Sequence, residues 1–325
     1  DMVIGWTADL LAAADEWSEL SIPAPDAADP NWLSAQLFSN TESFSVVPLL
    51  AQPGVIYYNQ TWAEEVGYEE APRTHAELEA QLLAAARQLT DDNIWENNGA
   101  GGLFLANSPL SVYSWYASFG GSGLDLTQPA WQESFEYLKD MYGSDASWTG
   151  KMNFDYTYFA TRYALAYEGT PGSVMVQAYA NEQAASADEW TTLPYPSPDG
   201  NGALTFETVG IGLKAADANT VRAAETFIKW LLMPEAQEAL AELSLFWPVI
   251  GKPGEVAPEL AEGYPAWSAA AEGEPALHIA PERENWRVAR LVVRDANLRL
   301  YQLDKQFIPT ILELLDKTLE EEAAK

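Results

Sequence analysis

Cysteine is absent from this 325-residue chain, and only two histidines occur. Without a thiol there is no disulfide, thiolate zinc site, iron–sulfur cluster or cysteine nucleophile. His75 and His278 stand far apart, and neither lies in a motif that supports a histidine metal site or a Ser-His-Asp triad. No run of about 18 apolar residues offers a membrane span. A nucleotide-type phosphate loop is missing as well, since Gly120-Gly121-Ser122-Gly123 is too short and lacks the lysine. The sequence therefore implies no cofactor, no metal and no catalytic residue.

Basic residues are scarce too. Seventeen Lys and Arg stand against 48 Asp and Glu, for a formal net charge of −31, and 12 acidic residues precede Arg73, the first basic one. That field repels phosphate backbones and anionic lipid heads, which excludes nucleic acid and polyanionic substrates as partners. A pair of carboxylates at glycosidase spacing, about 5 to 10 Å, carries no weight among so many acids.

What the chain does have is apolar and aromatic mass: 48% hydrophobic residues, with 13 Trp and 15 Tyr. Its length suits two packed lobes, each with a core. Strand and helix patterns alternate irregularly, which predicts an α/β architecture with mixed sheets covered by helices. Strands are expected at Met2 to Trp6, at Val55 to Asn59, at Val174 to Val176 and at Phe206 to Leu213. Helices are expected over Leu10 to Leu20, after Thr74, over Pro109 to Phe119, after Pro129 and over Phe154 to Tyr167. Others should start at Asn219 or Thr220, carrying Phe227 on the buried stripe, at Pro234, near Trp286 and near Phe307. Gln52-Pro53-Gly54 reads as a turn and Asn93 to Ser108 as a loop. Thr74 and Glu77 have the spacing of a capping box.

Flat aromatic rings stack on the apolar face of a sugar, while its hydroxyl rim needs Asp, Glu, Asn, Gln or Arg. Trp17, Trp131 and Trp230 fall on helical stripes and read as core. Trp6 stands where the first strand gives way to a polar loop, a position that lines clefts in open α/β sheets. Tyr113, Trp115 and Tyr116 precede the glycine turn, and at least one of them must face the core. Trp247 follows a helix in the most loop-rich region, where core and cleft remain equally open to it.

From Val55 onward the chain resembles the extracellular solute-binding proteins of bacterial ABC sugar importers, the maltose-binding-like group. The likeness rests on Ile56-Tyr57-Tyr58-Asn59-Gln60-Thr61-Trp62, Ala71-Pro72-Arg73-Thr74-His75, Phe119-Gly120-Gly121, Glu168 to Met175, and Thr208 to Leu213 followed by the helices through Gln237. It implies a two-lobed periplasmic-binding-protein fold of type II, with ligand held at the hinge. Lobe one would comprise residues 1–51 and 208–247, and lobe two residues 54–205 and 248–325, with hinges near 51–55 and 204–209. Trp6, Asp9, Gln52, Tyr113, Trp115, Tyr179 and Trp247 would bind the ligand. Gln52 stands where the family often has a carboxylate, and Tyr179 where tryptophan is commoner. Relative to that pattern the chain is short by an opening strand–helix–strand unit.

The implied function is an extracytoplasmic receptor, periplasmic or lipid-anchored. It would capture a small polar solute, a mono- or oligosaccharide, by hinge closure and deliver it as a monomer to an ABC permease. A carbohydrate-active enzyme, or a sensor or binder of a cationic solute such as a polyamine, are the competing readings.

Overall fold

The computed structural model describes residues 1–25, 28–38, 43–90, 100–123, 125–150, 155–280 and 286–323. Lobe one opens with β1 (Met2–Trp6), which runs directly into α1 (Thr7–Leu11), followed by α2 (Leu33–Phe38) and β2 (Val46–Pro53). Lobe two contains β3 (Val55–Asn59), α3 (Gln60–Glu65), α4 (His75–Thr90), β4 (Gly101–Phe104), α5 (Pro109–Ser118), α6 (Pro129–Gly143) and β5 (Ser147–Trp148). It continues through α7 (Asp155–Ala160), β6 (Ala164–Gly169), α8 (Val174–Gln183) and β7 (Trp190–Leu193). The chain returns to lobe one in β8 (Ala203–Leu213), α9 (Ala218–Leu231), α10 (Pro234–Ser244) and β9 (Trp247–Pro248). Three short helices follow, α11 (Pro253–Val256), α12 (Pro258–Gly263) and α13 (Pro265–Ser268), then β10 (Ala276–Ile279), α14 (Trp286–Leu300) and α15 (Ile308–Ala323).

One sheet has the order β1-β8-β2-β9, with β10 also paired to β8, and the other has the order β5-β4-β6-β3-β7. Both are mixed. In the first, β1 and β2 each pair antiparallel with β8, so their C-terminal ends, Trp6 and Gln52, share one edge. In the second, β4 and β6 are parallel, so the chain leaves both towards one edge, at Ala106 and Thr170. Ligands in open α/β sheets gather at such strand ends.

The capping box forms as expected. Thr74 Oγ1 accepts from the Glu77 amide at 3.3 Å, and the Glu77 carboxylate accepts from the Thr74 amide at 2.9 Å. Leu78, Leu82 and Ala85 then bury the inner face of α4. Asp217 caps α9, one turn earlier than Thr220, by accepting from the amides of Asn219 and Thr220.

Several expected elements differ. The chain between Leu10 and Leu20 is a short helix and a 3-10 turn, and Trp17 pairs with Lys214 at the sheet edge. Gln52-Pro53-Gly54 is not a turn: β2 reaches Pro53, β3 begins at Val55, and these two strands belong to different sheets. The expected helix from Phe154 to Tyr167 stops at Ala160, and Ala164–Gly169 is a central strand buried almost throughout. Strands buried on both faces show no alternation, so the Ala-Leu-Ala-Tyr run hid this one. Val174 to Val176 is the first turn of α8 rather than a strand. Phe154 and residues 93–99 of the expected Asn93 to Ser108 loop lie outside the described residues, while Gly101–Phe104 is strand β4.

Phe227 and Trp230, expected in the core, are exposed on α9 and stack on each other at 5.7 Å, while Ala224, Ile228 and Leu231 take the buried face. The long C-terminal segment is also shared between lobes. The β9 and β10 strands pair within the lobe-one sheet, whereas α14 packs on α5 and α15 on α6. Residues 276–279 pair with Ala203–Phe206, the first part of β8, where the chain passes from one sheet to the other.

Candidate ligand-binding cleft

The strand ends of the two sheets meet around Gln52. Its amide Nε2 donates to Thr170 Oγ1 at 2.8 Å, linking the end of β2 to the loop after β6. Tyr57 fixes the same loop, since its hydroxyl donates to the Thr170 carbonyl at 2.8 Å while its ring stacks on Tyr167 at 4.5 Å. Gly172, two residues on, brings bare backbone against lobe one. A Cβ there would sit 3.5 Å from Gln52 Nε2 and 3.9 Å from the Phe246 ring. Phe246 in turn lies 5.7 Å from the ring of Trp6, at an interplanar angle of 37°. Trp6 and Phe246 are both half-buried, so each keeps surface for a partner.

The sequence-derived site residues divide accordingly. Trp6 and Gln52 come together at the strand ends, and Asp9 is exposed on α1 one turn beyond Trp6. Tyr113, Trp115 and Trp247 are core residues, each 1% exposed or less. Tyr113 spends its hydroxyl on the Gly123 carbonyl, Trp115 its indole on Glu168, and Trp247 its indole on the Trp267 carbonyl. Saturated polar atoms and buried rings leave these three no face for a ligand. Tyr179 is 61% exposed on α8.

The half-buried ring beside Trp6 is Phe246, one position before Trp247. Leu245 adopts a left-handed conformation (φ 62°) that ends α10, and neighbouring residues of the extended chain then face opposite ways. Trp247 enters the core against Trp32 and Phe206 while Phe246 remains at the cleft.

Across the cleft edge of lobe two lies a buried carboxylate. Glu168 accepts from Trp115 Nε1 at 2.5 Å and from the Ala106 amide at 2.9 Å, with Asn107 and Ser111 as further donors. Burial nevertheless prevails over these bonds and pushes its carboxyl up to about 7. Asn107 is left-handed (φ 53°), and its side-chain oxygen accepts from Asn297 of α14 at 2.8 Å. The α14 helix also packs on α1, and Ala8 is buried within the hydrophobic cluster of lobe two. Contacts thus join α1, the β4–α5 turn and α14.

Among the described residues no cluster of three or more acidic or histidine side chains could hold a metal, and no helix is long and apolar enough to cross a membrane. The geometry suits reversible capture: rings from lobe one, hydrogen-bonding groups from both lobes, and bare backbone at Gly172.

A sequence model of bacterial extracellular solute-binding proteins matches residues 2–262. The chain belongs to this family. Members of the bacterial extracellular solute-binding family serve outside the cytoplasm, and their role is binding rather than catalysis. No curated protein matches the chain in sequence. Solved structures with the same fold include the cyclic α-maltosyl-1,6-maltose binding protein of Arthrobacter globiformis, 18% identical, with a TM-score of 0.77 over 98% of this chain and 84% of that one. The sugar-binding protein MalE of Xanthomonas citri is 15% identical, with a TM-score of 0.78 over 99% and 84%. Maltose-binding MalE of Listeria monocytogenes, solved with maltose, is 14% identical, with a TM-score of 0.72 over 99% and 84%. At these identities the likeness carries the fold.

Proposed function

We propose that this solute-binding protein captures a mono- or oligosaccharide between its lobes and presents it to an ABC import permease. The observation that carries this reading is the pairing of Trp6 and Phe246 from lobe one with the polar Gln52–Thr170 bridge to lobe two. Half-buried rings offer an apolar platform for a pyranose face, and amide and hydroxyl groups beside them suit its hydroxyl rim. Trp6, Asp9, Gln52, Phe246 and Thr170 are the contact residues in this proposal. Residues 51–55 and 204–209 act as the hinges, so that a ligand touching both lobes favours the closed arrangement. The related structures named for maltosyl sugars support this assignment at the level of fold.

The test is calorimetric and fluorimetric titration with a panel of mono-, di- and trisaccharides, with spermidine alongside. Saturable binding of one saccharide, weakened about tenfold in Trp6→Ala, is the expected result. Binding of spermidine and of no sugar would assign the cleft to a cationic solute instead.

A further inference from the structure

Glu168 is a fully buried carboxyl group of β6, and no basic side chain is among its bonded partners. On β6 it pairs with Ile56 of β3, two residues before Thr170, so its backbone is fixed by the sheet. Its side chain reaches sideways to the neighbouring cleft edge. One oxygen takes the Trp115 indole and the other the Ala106 amide, while Asn107 and Ser111 add further hydrogen bonds. Every one of these partners is an N–H or O–H able to donate, and an ionised carboxylate, which only accepts, satisfies them all. A protonated carboxyl loses the charge that strengthens the bonds from Trp115 and the two backbone amides, and its own hydrogen has to turn the Ser111 hydroxyl, the one partner that can also accept, from donor to acceptor.

The residues it holds are the rim. Ala106 and Asn107 follow β4 at the edge from which Thr170 leaves β6, and Ser108 caps α5 through the Ser111 amide at 3.0 Å. Asn107 is left-handed, a conformation that asparagine tolerates better than most residues with a side chain. The Asn297 amide braces its side chain from α14, the helix that also packs on α1.

We infer that Glu168 is a positioning residue: ionised, it holds the Ala106–Ser108 rim and Trp115 in the geometry that receives the ligand, and protonation releases them. This rests on the cleft reading above and extends it to pH-dependent affinity. The groups facing Glu168 do not compete for the role. Tyr195 and Tyr301 are buried tyrosines that stay neutral, and Asn107, Ser111 and Trp115 do not titrate. His75 lies behind Trp115, with ring centres 6.2 Å apart, and burial lowers its pKa to about 4. Over the neutral range Glu168 is therefore the group in this cluster that changes charge. Rim release on protonation means tighter ligand binding above neutrality and weaker binding below it.

The experiment has one arm that needs no ligand. In 15N-labelled protein the Trp115 indole resonance, identified by its loss in Trp115→Phe, is followed with the Ala106 and Asn107 amides between about pH 5 and 9. All three should move together with one midpoint, and Glu168→Gln should hold them at a single position. In the second arm, affinity for the saccharide found by titration should fall about tenfold from the alkaline to the acid end, one pKa unit of linkage, while Glu168→Gln binds weakly and evenly. Resonances that do not titrate in the wild-type chain overturn the proposal, even if the Gln variant fails to fold. Titrating resonances with pH-independent affinity overturn the coupling of Glu168 to binding. If no sugar binds, the sugar reading fails, and the resonances of the free protein still decide whether Glu168 governs the rim.

Discussion

The side-chain amide of Gln52 donates to the hydroxyl of Thr170 at 2.8 Å, and this one bond spans the boundary between the two sheets. Gln52 closes β2 in lobe one, and Thr170 leaves β6 in lobe two. Thr170→Val keeps the shape and removes the acceptor. It should lower ligand affinity by about 0.5–1.5 kcal/mol, the usual net worth of such a bond, with little change in melting temperature. Titration calorimetry with thermal unfolding of the same samples checks both halves.

Trp6 and Phe246 form the proposed stacking platform. Truncating either ring to Ala should weaken sugar binding about tenfold, in keeping with roughly 0.5–1.5 kcal/mol of aromatic interaction plus lost contact area. Tyr179→Ala should leave affinity unchanged, since that side chain is 61% exposed. Equal losses in all three variants would show that the platform has been assigned to the wrong rings.

Trp247 should behave as a core residue. It is fully buried, lies 6.0 Å from both Trp32 and Phe206, and donates its indole hydrogen to the Trp267 carbonyl at 2.9 Å. Trp247→Ala should cost about 3–5 kcal/mol of stability, with or without sugar present. Urea unfolding in both conditions measures it.

Two buried groups set opposing pH dependences of folding. His75 is stacked on Phe119 at 4.0 Å, and burial lowers its pKa to about 4, below its unfolded value. Its contribution is complete above the unfolded pKa and is lost as pH falls towards about 4, up to roughly 3 kcal/mol. Glu168 has the reverse sign. Raised to about 7, it contributes in full below its unfolded pKa and loses that contribution as pH rises through about 7. Chemical denaturation across pH should therefore show His75→Phe removing the acid-side loss and Glu168→Gln removing the loss that builds up between the unfolded pKa and about 7.

Features set by neighbouring residues were legible in the sequence. Thr74 and Glu77 three residues apart gave a cap, and the β-branched and aromatic run at Val55 to Asn59 gave a strand. Features that depend on what lies across space were not. Nine of the ten residues of α5 are buried, so Tyr113 and Trp115 sit on a helix with no solvent face to reveal which side meets a ligand. Phe246 was hidden by a one-residue change of direction at Leu245, and Glu168 by its placement in a strand that carries no alternation. The proposed cleft draws on strand ends as distant in sequence as Gln52 and Thr170, and aromatic abundance alone cannot say which rings it exposes.

Gly54 is the one residue between β2 and β3, and its own amide still donates to the Thr205 carbonyl of β8 at 2.9 Å. A Cβ at this point would lie 2.5 Å from Ser114 Oγ, so α5 leaves no room for a side chain. With residues 51–55 as the proposed hinge, the junction between the sheets would work as a flexure, a thin continuous section of the sheet framework, and not as a slack tether. Opening about it would bend strand ends along a narrow set of directions, leave little chain entropy to be lost on closure, and give a partner at the membrane a closed form of reproducible shape.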